Sequence, residues 1–339
     1  MNRSFPAMKR MRSVLLLSLT ALIGLALNGC AYMGLGSRPL SELTQKYTDD
    51  TSRFVSVEDL VIHYQDQGSG EVVLMLHGEH SSLHVWDAWA EKLSQNFRVV
   101  RLDLPGHGLT GPGKAEDASY DLDYMLNVLD EFMMKLGLDE LPIHMVGASY
   151  GGFLTWNYAL QNPGVLDSMV LVDATGFDQE LPPVLAYNTL PVLAGLNSWT
   201  LPRYKVKSRL DSMYYEEDRI TKDVVRRTQD MMLRQGNRDA FIQVARDMKD
   251  QLEEGNNESQ RIKYIETPAL VMWGESDEWT KTRIMKQFKT HLPNMTLVSY
   301  EGVGHLPMQE LPVQSSRDVA SYLMYGELVS LPDGEKQGW

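Results

Sequence analysis

Short apolar runs that are rich in β-branched and aromatic residues recur along the chain and predict the strands of a β-sheet. Their lengths suit strands better than helices. The runs are Phe54–Val57, Leu60–Tyr64, Val72–His77, Arg98–Asp103, Ile143–Val146, Ser168–Val172, Ala269–Trp273 and Thr296–Tyr300.

Between these runs, apolar residues recur at spacings of three and four, which predicts amphipathic helices. The helical patterns span Leu83–Leu93, Leu122–Leu136, Gly152–Leu160, Lys281–His291 and Val313–Leu323. Strands that alternate with helices of this length indicate a mostly parallel sheet covered by helices on both faces. The sequence therefore predicts an α/β fold.

The interval 176–266 breaks this alternation because it is helix-like throughout and rich in Leu, Met, Tyr and charged residues. A structureless loop of that length is improbable inside a compact domain. We therefore predict a helical cap at 176–266, inserted between two parts of one core at 53–175 and 267–326, with a tail at 327–339.

The N-terminal segment has the pattern of an export signal. Four basic residues precede an apolar run from Val14 to Leu27, which is shorter than the ~20 residues that a membrane-spanning helix needs. Leu27-Asn28-Gly29-Cys30 resembles the lipobox of bacterial lipoproteins, and Cys30 is the chain's single cysteine. We therefore predict a signal peptide at 1–29, lipid modification of Cys30 and a tether at 30–52.

A free thiol beside the signal and an uncleaved anchor are the alternatives for Cys30. If Cys30 is acylated, the protein is exported and held on a bacterial membrane by its lipid, with a soluble catalytic domain. Ala31 stands where some lipoproteins carry an aspartate that retains them at the inner membrane, so the resemblance favours the outer membrane.

Net charge excludes one class of partner. The chain carries 32 basic and 45 acidic side chains, which gives a formal charge of -13. Binding to nucleic acid requires a basic face that neutralises phosphates, so we expect no nucleic-acid partner.

The sequence Gly147-Ala148-Ser149-Tyr150-Gly151 follows a predicted strand and precedes a predicted helix. Glycines two residues either side of a serine permit a strained strand-to-helix turn that exposes the hydroxyl, known as a nucleophile elbow. Since the motif alone also occurs by chance, its context carries the interpretation. Ser149 is the candidate nucleophile.

Two later loops supply a candidate base and a candidate acid. His305 lies in the glycine-containing loop after the last predicted strand, where an imidazole can take the proton of a serine. Asp277 follows the strand Ala269–Trp273 and can orient that imidazole. Asp173, after the preceding strand, is the alternative acid.

Acyl chemistry also requires N–H donors for the oxyanion. We expect these to be the backbone amides of Glu79 and Tyr150, the first in the loop after His77-Gly78 and the second next to Ser149. Motifs for zinc and for phosphate binding are missing from the sequence, so neither a metal nor a cofactor is expected.

Taken together, these motifs resemble the α/β-hydrolase superfamily from about Phe54 to Leu323, in the branch of capped esterases and C–C bond hydrolases. The resemblance is carried by Leu76-His77-Gly78, Asp103-Leu104-Pro105-Gly106-His107-Gly108, Gly147-Ala148-Ser149-Tyr150-Gly151-Gly152, Trp273-Gly274-Glu275-Ser276-Asp277 and Gly304-His305. Haloalkane dehalogenases and epoxide hydrolases have aspartate at the position of Ser149. The acid loop also departs from the frequent family pattern, because Trp279-Thr280-Lys281 stands where a proline often follows.

The resemblance and the residues together imply a serine hydrolase that cleaves small apolar or aromatic esters through an acyl-enzyme. A C–C bond hydrolase that acts on meta-cleavage products would use the same residues. A binding lipoprotein that keeps the fold without turnover is a third possibility, which the complete set of candidate residues disfavours.

Overall fold

The computed structural model describes residues 32–113, 119–190, 199–252 and 258–329. The predicted signal peptide and Cys30 lie outside this range. Within it, one eight-stranded sheet has the order β1-β2-β4-β3-β5-β6-β7-β8. The strands are β1 Ser52–Val57, β2 Leu60–Gly68, β3 Val72–Leu76, β4 Arg98–Leu102, β5 Ile143–Ala148, β6 Ser168–Val172, β7 Ala269–Gly274 and β8 Met295–Tyr300.

Pairing is parallel from β4 through β3 to β8, and antiparallel where β2 meets β1 and β4. Every residue of β3, β5, β6 and β7 is buried, because helices cover both faces of the sheet. The apolar side chains form two large clusters that extend over the sheet and into the helices between β6 and β7. The prediction of a mostly parallel sheet covered on both faces is confirmed.

Helices of the described residues occupy the intervals between the strands. In chain order they are α1 Leu40–Tyr47, α2 Asp87–Leu93, α3 Leu122–Leu136, α4 Tyr150–Gln161, α5 Pro183–Thr189, α6 Arg203–Asp211, α7 Lys222–Met232, α8 Asn237–Leu252, α9 Thr282–His291, α10 Pro307–Glu310 and α11 Pro312–Tyr325, with 3₁₀ helices at Leu83–Trp86, Glu217–Arg219 and Glu258–Tyr264. The predicted helix Leu83–Leu93 is thus a 3₁₀ turn followed by α2. Helices α5 to α8 lie in the interval in which we predict the cap.

Helix α3 shows how local signals set these bounds. Asp121 caps its first turn by accepting a hydrogen bond from the Tyr124 amide at 2.9 Å. Gly137 ends it in the left-handed conformation, with φ 62°. The start and the end of α3 therefore agree with the periodicity of the sequence.

Residues 30–52 are predicted as a tether, but the described part of this segment packs against the cap. Leu43 of α1 is fully buried beside Leu109 and Met231. The side chains of Lys46 and Tyr47 both contact the carboxylate of Asp230 in α7. Three apolar or aromatic positions in a helix of eight residues give little signal in the sequence, and Leu43 is buried here because Met231 of α7 and Leu109 pack against it.

Asp103, directly after β4, connects the loops at the carboxyl end of this strand. Its carboxylate accepts hydrogen bonds at 2.8 Å from the amides of Leu83 and Leu109 and lies 2.8 Å from Nδ1 of His63. Burial alone would raise the pKa of Asp103, but the bond to His63 and the neighbouring imidazoles hold that pKa well below its usual range. The ionised carboxylate therefore stabilises the folded state.

We predict that Asp103→Asn lowers the free energy of unfolding by about 3 kcal/mol at pH 7, because breaking a buried pair leaves its partners unsatisfied. Because the pKa of Asp103 is depressed in the folded state, the difference in free energy of unfolding between the variant and the wild type should be largest above pH ~4. It should shrink as the pH falls further. Urea unfolding between pH 3 and 8 measures it. Asp50→Asn, at an exposed position, is the control, and an equal loss in both variants would contradict the role of Asp103.

Candidate active site

Ser149 lies at the turn from β5 into α4, with φ 52° and ψ -115°. Non-glycine residues rarely adopt this backbone conformation, and holding it costs about 1–3 kcal/mol. Hydrogen bonds fix the residue on both sides, because its amide donates to the Val172 carbonyl at 2.9 Å and its carbonyl accepts from the Thr175 amide at 3.0 Å. The predicted elbow is thus present, and Ser149 is largely buried.

The glycines of the motif are required by close approach. A Cβ on Gly147 would collide with the Gly151 carbonyl, and a Cβ on Gly151 would collide with the Leu76 carbonyl at the end of β3. The loop after β3 is equally close, since a Cβ on Gly78 would lie 3.0 Å from that of Ser149. The turn at Ser149 therefore requires glycine at 147 and 151, and a side chain at 78 would crowd Ser149.

The two amides predicted as oxyanion donors both lie next to Ser149 or its neighbour Gly78. The Glu79 amide follows Gly78 in the loop after β3, and the Tyr150 amide belongs to the first residue of α4. Among the described residues, neither the Glu79 nor the Tyr150 amide donates a hydrogen bond. His77 shapes the loop, because its Nδ1 lies 2.7 Å from the Gly78 carbonyl and its Nε2 accepts from the Leu104 amide at 3.0 Å. Both amides are thus available to an incoming oxygen.

The structure pairs the predicted base with the predicted acid. Nδ1 of His305 lies 2.7 Å from Oδ2 of Asp277. The other carboxylate oxygen, Oδ1, accepts from the amides of Trp279 at 2.6 Å and Thr280 at 3.0 Å. The His305 amide donates to the Met213 carbonyl of the cap at 2.7 Å.

Nε2 of His305 is buried and has no hydrogen-bond partner among the described residues. A hydrogen bond from Ser149 to this atom is therefore not formed here. Bonds of this kind are often long in unliganded enzymes and tighten when substrate binds. Ser149, Asp277 and His305 follow β5, β7 and β8 at one edge of the sheet, with β6 between β5 and β7.

Asp173, the alternative acid, lies in the same cluster. Ligand atoms of Asp173, Asp277 and His305 all lie within 4.8 Å of one another. Oδ1 of Asp173 accepts from the Gly274 amide at 2.9 Å, whereas Oδ2 has no hydrogen-bond partner in the part of the chain that the structure describes. Burial, together with the charge of Asp277, raises the pKa of Asp173 well above its usual range. Its protonated form is therefore favoured in the folded state.

These three residues are also spaced closely enough to hold a metal ion. Their donor atoms, however, are engaged with one another and with backbone amides: Nδ1 of His305 and Oδ2 of Asp277 bond to each other, and Oδ1 of Asp277 accepts two amides. The donor set thus fits an acid–histidine pair with a neighbouring acid whose protonated form is favoured.

The side chain of Glu79 is buried, unlike that of an ordinary loop acid. Its carboxylate lies 3.3 Å from Nδ1 of His80 and 3.5 Å from Nε2 of His107. Burial opposes ionisation, but His80 and His107, together with the charge of Arg209, outweigh it and lower the pKa of Glu79 to about 2. A buried negative charge therefore lies directly beside the predicted oxyanion amide.

Two site residues were not singled out by sequence reasoning. The ring of Trp279 stacks on that of His305 at a centroid distance of 5.5 Å. The buried carboxylate of Glu310 accepts from the amides of Gly304 and Tyr215, both at 2.8 Å, and so joins the histidine loop to the cap. In sequence, both residues resemble ordinary helix or loop positions.

A cleft of about 1130 Å³ opens between the cap and the loop after β7. It shares part of its wall with a narrow pocket at Ser149, namely Gln179, Glu180, Leu181, Pro182 and Trp279. The wall of the narrow pocket is completed by Ser149, Thr175, Leu185, Met248, Leu252 and Thr280. The cleft and the narrow pocket thus meet at these shared residues, and the narrow pocket itself has a volume of only about 10 Å³.

Because the pKa of Asp173 is raised in the folded state, its ionisation opposes folding. We predict that wild-type stability falls relative to Asp173→Asn as pH rises above ~4, the ordinary carboxyl value, since the amide keeps the hydrogen bonds and carries no charge. Urea unfolding from pH 4 to 8 measures the difference. A wild type that gains stability over the variant with rising pH would show instead that Asp173 is a stabilised anion.

Comparison with known proteins agrees with this architecture. A family model described as the α/β hydrolase fold matches residues 71–310. The chain is 26% identical over 300 residues to a 2-hydroxy-6-oxononadienedioate/2-hydroxy-6-oxononatrienedioate hydrolase of Dechloromonas aromatica, covering 84% of this chain and 100% of that one. It is 25% identical over 268 residues to an uncharacterized hydrolase of Bacillus subtilis, covering 77% of this chain and 92% of the other.

Two solved structures share the fold. A meta-cleavage product hydrolase from Pseudomonas fluorescens superposes with a TM-score of 0.71 at 21% identity, over 81% of this chain and 98% of that chain. A bacterial membrane phospholipase A superposes with a TM-score of 0.71 at 22% identity, over 92% of this chain and 98% of that chain. Since the family model matches most of the sequence, the protein belongs to the α/β-hydrolase fold family.

Proposed function

We propose that the protein is a serine hydrolase that cleaves carboxylic esters of apolar acyl or aromatic substrates. The observation that carries this proposal is the Asp277–His305 hydrogen bond of 2.7 Å, which leaves Nε2 of His305 buried and unbonded at the sheet edge that bears Ser149. An imidazole held in this way is oriented to accept a proton on its free nitrogen.

The reaction has two halves. Ser149 Oγ attacks the acyl carbonyl and its proton passes to Nε2 of His305, which Asp277 orients; the amides of Glu79 and Tyr150 stabilise the oxyanion. His305 returns the proton to the leaving alkoxide as an acyl-enzyme forms. Water, deprotonated by His305, then releases the acyl group and regenerates Ser149.

The narrow pocket at Ser149 supports an apolar acyl group. Leu181, Leu185, Met248 and Leu252 supply much of its wall. Burying a methylene against such a wall contributes about 0.8 kcal/mol. Because the pocket holds only about 10 Å³, a longer acyl chain must displace part of this wall or extend into the cleft.

A second candidate is hydrolysis of a C–C bond in a meta-cleavage product. It is supported by the name of the Dechloromonas aromatica relative, at 26% identity over the relative's whole length. The same serine, histidine and oxyanion amides would serve both reactions. Ester hydrolysis and C–C bond hydrolysis are therefore distinguished by the substrate that is cleaved and not by Ser149, Asp277 and His305.

Lipid modification of Cys30 remains part of the proposal and would place the enzyme on a bacterial membrane. Cys30 lies outside the described residues, so its support is the sequence pattern alone. Within the described residues, no helix has the length and apolar character needed to span a bilayer.

We predict that the protein hydrolyses p-nitrophenyl esters and that Ser149→Ala lowers kcat about 10⁴-fold or more, because the nucleophile is lost. An acetate-to-palmitate series measures kcat/KM and locates the chain-length optimum. Ser56→Ala, at an exposed position of β1, is the matched control. Labelling of Ser149 by a fluorophosphonate should be absent from Ser149→Ala.

Three outcomes of this experiment discriminate between the candidates. Ester turnover that depends on Ser149 supports the esterase. Fluorophosphonate labelling without ester turnover, together with cleavage of a meta-cleavage product, supports the C–C hydrolase. A folded protein that shows neither turnover nor labelling would refute both enzymatic functions and favour the binding lipoprotein.

We predict that the full chain, expressed in bacteria, fractionates with membranes and is released only by detergent, whereas Cys30→Ala is not acylated. Mass spectrometry of the N-terminal peptide and membrane fractionation measure this. An unmodified Cys30 at a processed N-terminus would refute lipidation.

A further inference from the structure

Arg209 in α6 is a buried cation, and the closest charge acting on it is that of Glu79. Its side chain is 7% exposed. Nη2 donates to the Glu79 carbonyl at 3.2 Å, Nη1 lies 3.9 Å from the sulfur of Met232, and Nε has no hydrogen-bond partner. Within the described part of the chain, Arg209 forms no salt bridge. Desolvation lowers the pKa of Arg209 to about 10, which still leaves it charged at neutral pH.

The nearest acid does not neutralise this charge by contact. The carboxylate of Glu79 faces His80 and His107, and only its backbone carbonyl is bonded to Arg209. Buried charges in proteins are ordinarily paired, because an unpaired one loses its hydration without compensation. The open N–H groups of Arg209 therefore suit an anionic ligand.

Arg209 lies where a substrate would pass. It lines both the large cleft and a smaller pocket beside Glu79 and His80. Its guanidinium carbon lies 5.2 Å from the ring centroid of Trp279, and the ring of His305 stacks on Trp279 at a centroid distance of 5.5 Å. Arg209 and the candidate base thus both contact one aromatic ring.

The rim of the cleft is basic although the chain as a whole is acidic. Lys205, Lys281 and Arg283 join Arg209 in its wall, against Glu180 and Glu278. Lys281 lies 3.8 Å from Glu278, and no ion pair of Lys205 or Arg283 is seen among the residues that the structure describes. Residues 191–198 of the cap, which are not described, contain no charged side chain. A local excess of positive charge favours binding of an anion.

We infer that Arg209 and this rim form a subsite for an anionic group of the substrate, a carboxylate or a phosphate. The substrate is then an anionic amphiphile, with its acyl chain in the apolar pocket at Ser149 and its charged group at Arg209. Arg209 acts as a specificity-determining binding residue. The inference rests on the proposed ester hydrolysis and adds the charge of the substrate to it.

The test compares octanoyl esters that share one acyl chain and differ only in the alcohol: glycerol 3-phosphate, a hydroxycarboxylate and neutral glycerol. Released octanoate gives kcat/KM for each. We expect the wild type to prefer the anionic esters about tenfold or more, which corresponds to about 1.4 kcal/mol. The phosphate and carboxylate arms show which anion fits better.

In Arg209→Gln the ratio of kcat/KM for the anionic esters to kcat/KM for the neutral ester should fall to a value between about 1 and 3. The ratio within one variant is used because Arg209 also bonds the Glu79 carbonyl, and damage to that loop would lower both rates together. Lys207→Gln, on the same helix but outside the cleft, is the matched control and should keep the wild-type ratio. If Arg209→Gln does not fold, the double variant Lys205→Gln with Arg283→Gln tests the inference instead. Its ratio of anionic to neutral kcat/KM should be at least threefold lower than that of the wild type.

Equal rates on anionic and neutral esters in the wild type, or an unchanged ratio in Arg209→Gln, would overturn the inference. If no ester is cleaved, the subsite is still tested by calorimetry of decyl phosphate, decanoate and neutral octyl glucoside binding to Ser149→Ala. Binding of the anions that is lost with Arg209→Gln would support the subsite although the proposed reaction had failed. Equal binding of all three amphiphiles would refute it.

Discussion

The backbone of Ser149 has a conformation that its neighbours must enforce, and the geometry of the site follows from this constraint. A φ of 52° is unfavourable for serine and persists only where surrounding contacts exceed its cost. Those contacts come from adjacent strands: the Val172 carbonyl of β6 binds the Ser149 amide, and the end of β3 lies against Gly151. The elbow therefore requires a central strand with parallel neighbours on both sides.

This position determines which loops surround the nucleophile. Strand β3 brings Gly78 and Glu79 to one side of Ser149, and β6, β7 and β8 present Asp173, Asp277 and His305 in sequence on the other. The histidine loop is also tied to the cap, because the His305 amide donates to the Met213 carbonyl and Glu310 binds amides of both segments. A displacement of the segment after α6 would therefore displace His305, so the cap contributes to the geometry of the base as well as to the substrate cleft.

Local patterns in the sequence predicted the features that depend on nearby residues. The strand runs, the capped helix α3 and the elbow motif are of this kind, and the loops that bear Asp277 and His305 follow directly from strand ends. The roles of Arg209, Trp279 and Glu310 were not predicted, because they depend on partners far along the chain. In sequence, Arg209 is one of several charged residues in a polar helix, and only the packing of α6 against the Glu79 loop shows that it is buried. The contact of α1 with Asp230 was missed for the same reason.

The two acids at the histidine differ in hydrogen bonding. Asp277 accepts two amides and faces His305, whereas Asp173 accepts one amide and is fully buried. Burial and the neighbouring charge of Asp277 both raise the pKa of Asp173, because two adjacent buried carboxylates can both be ionised only at a large electrostatic cost. The protonated form of Asp173, which this arrangement favours, adds no second negative charge beside His305.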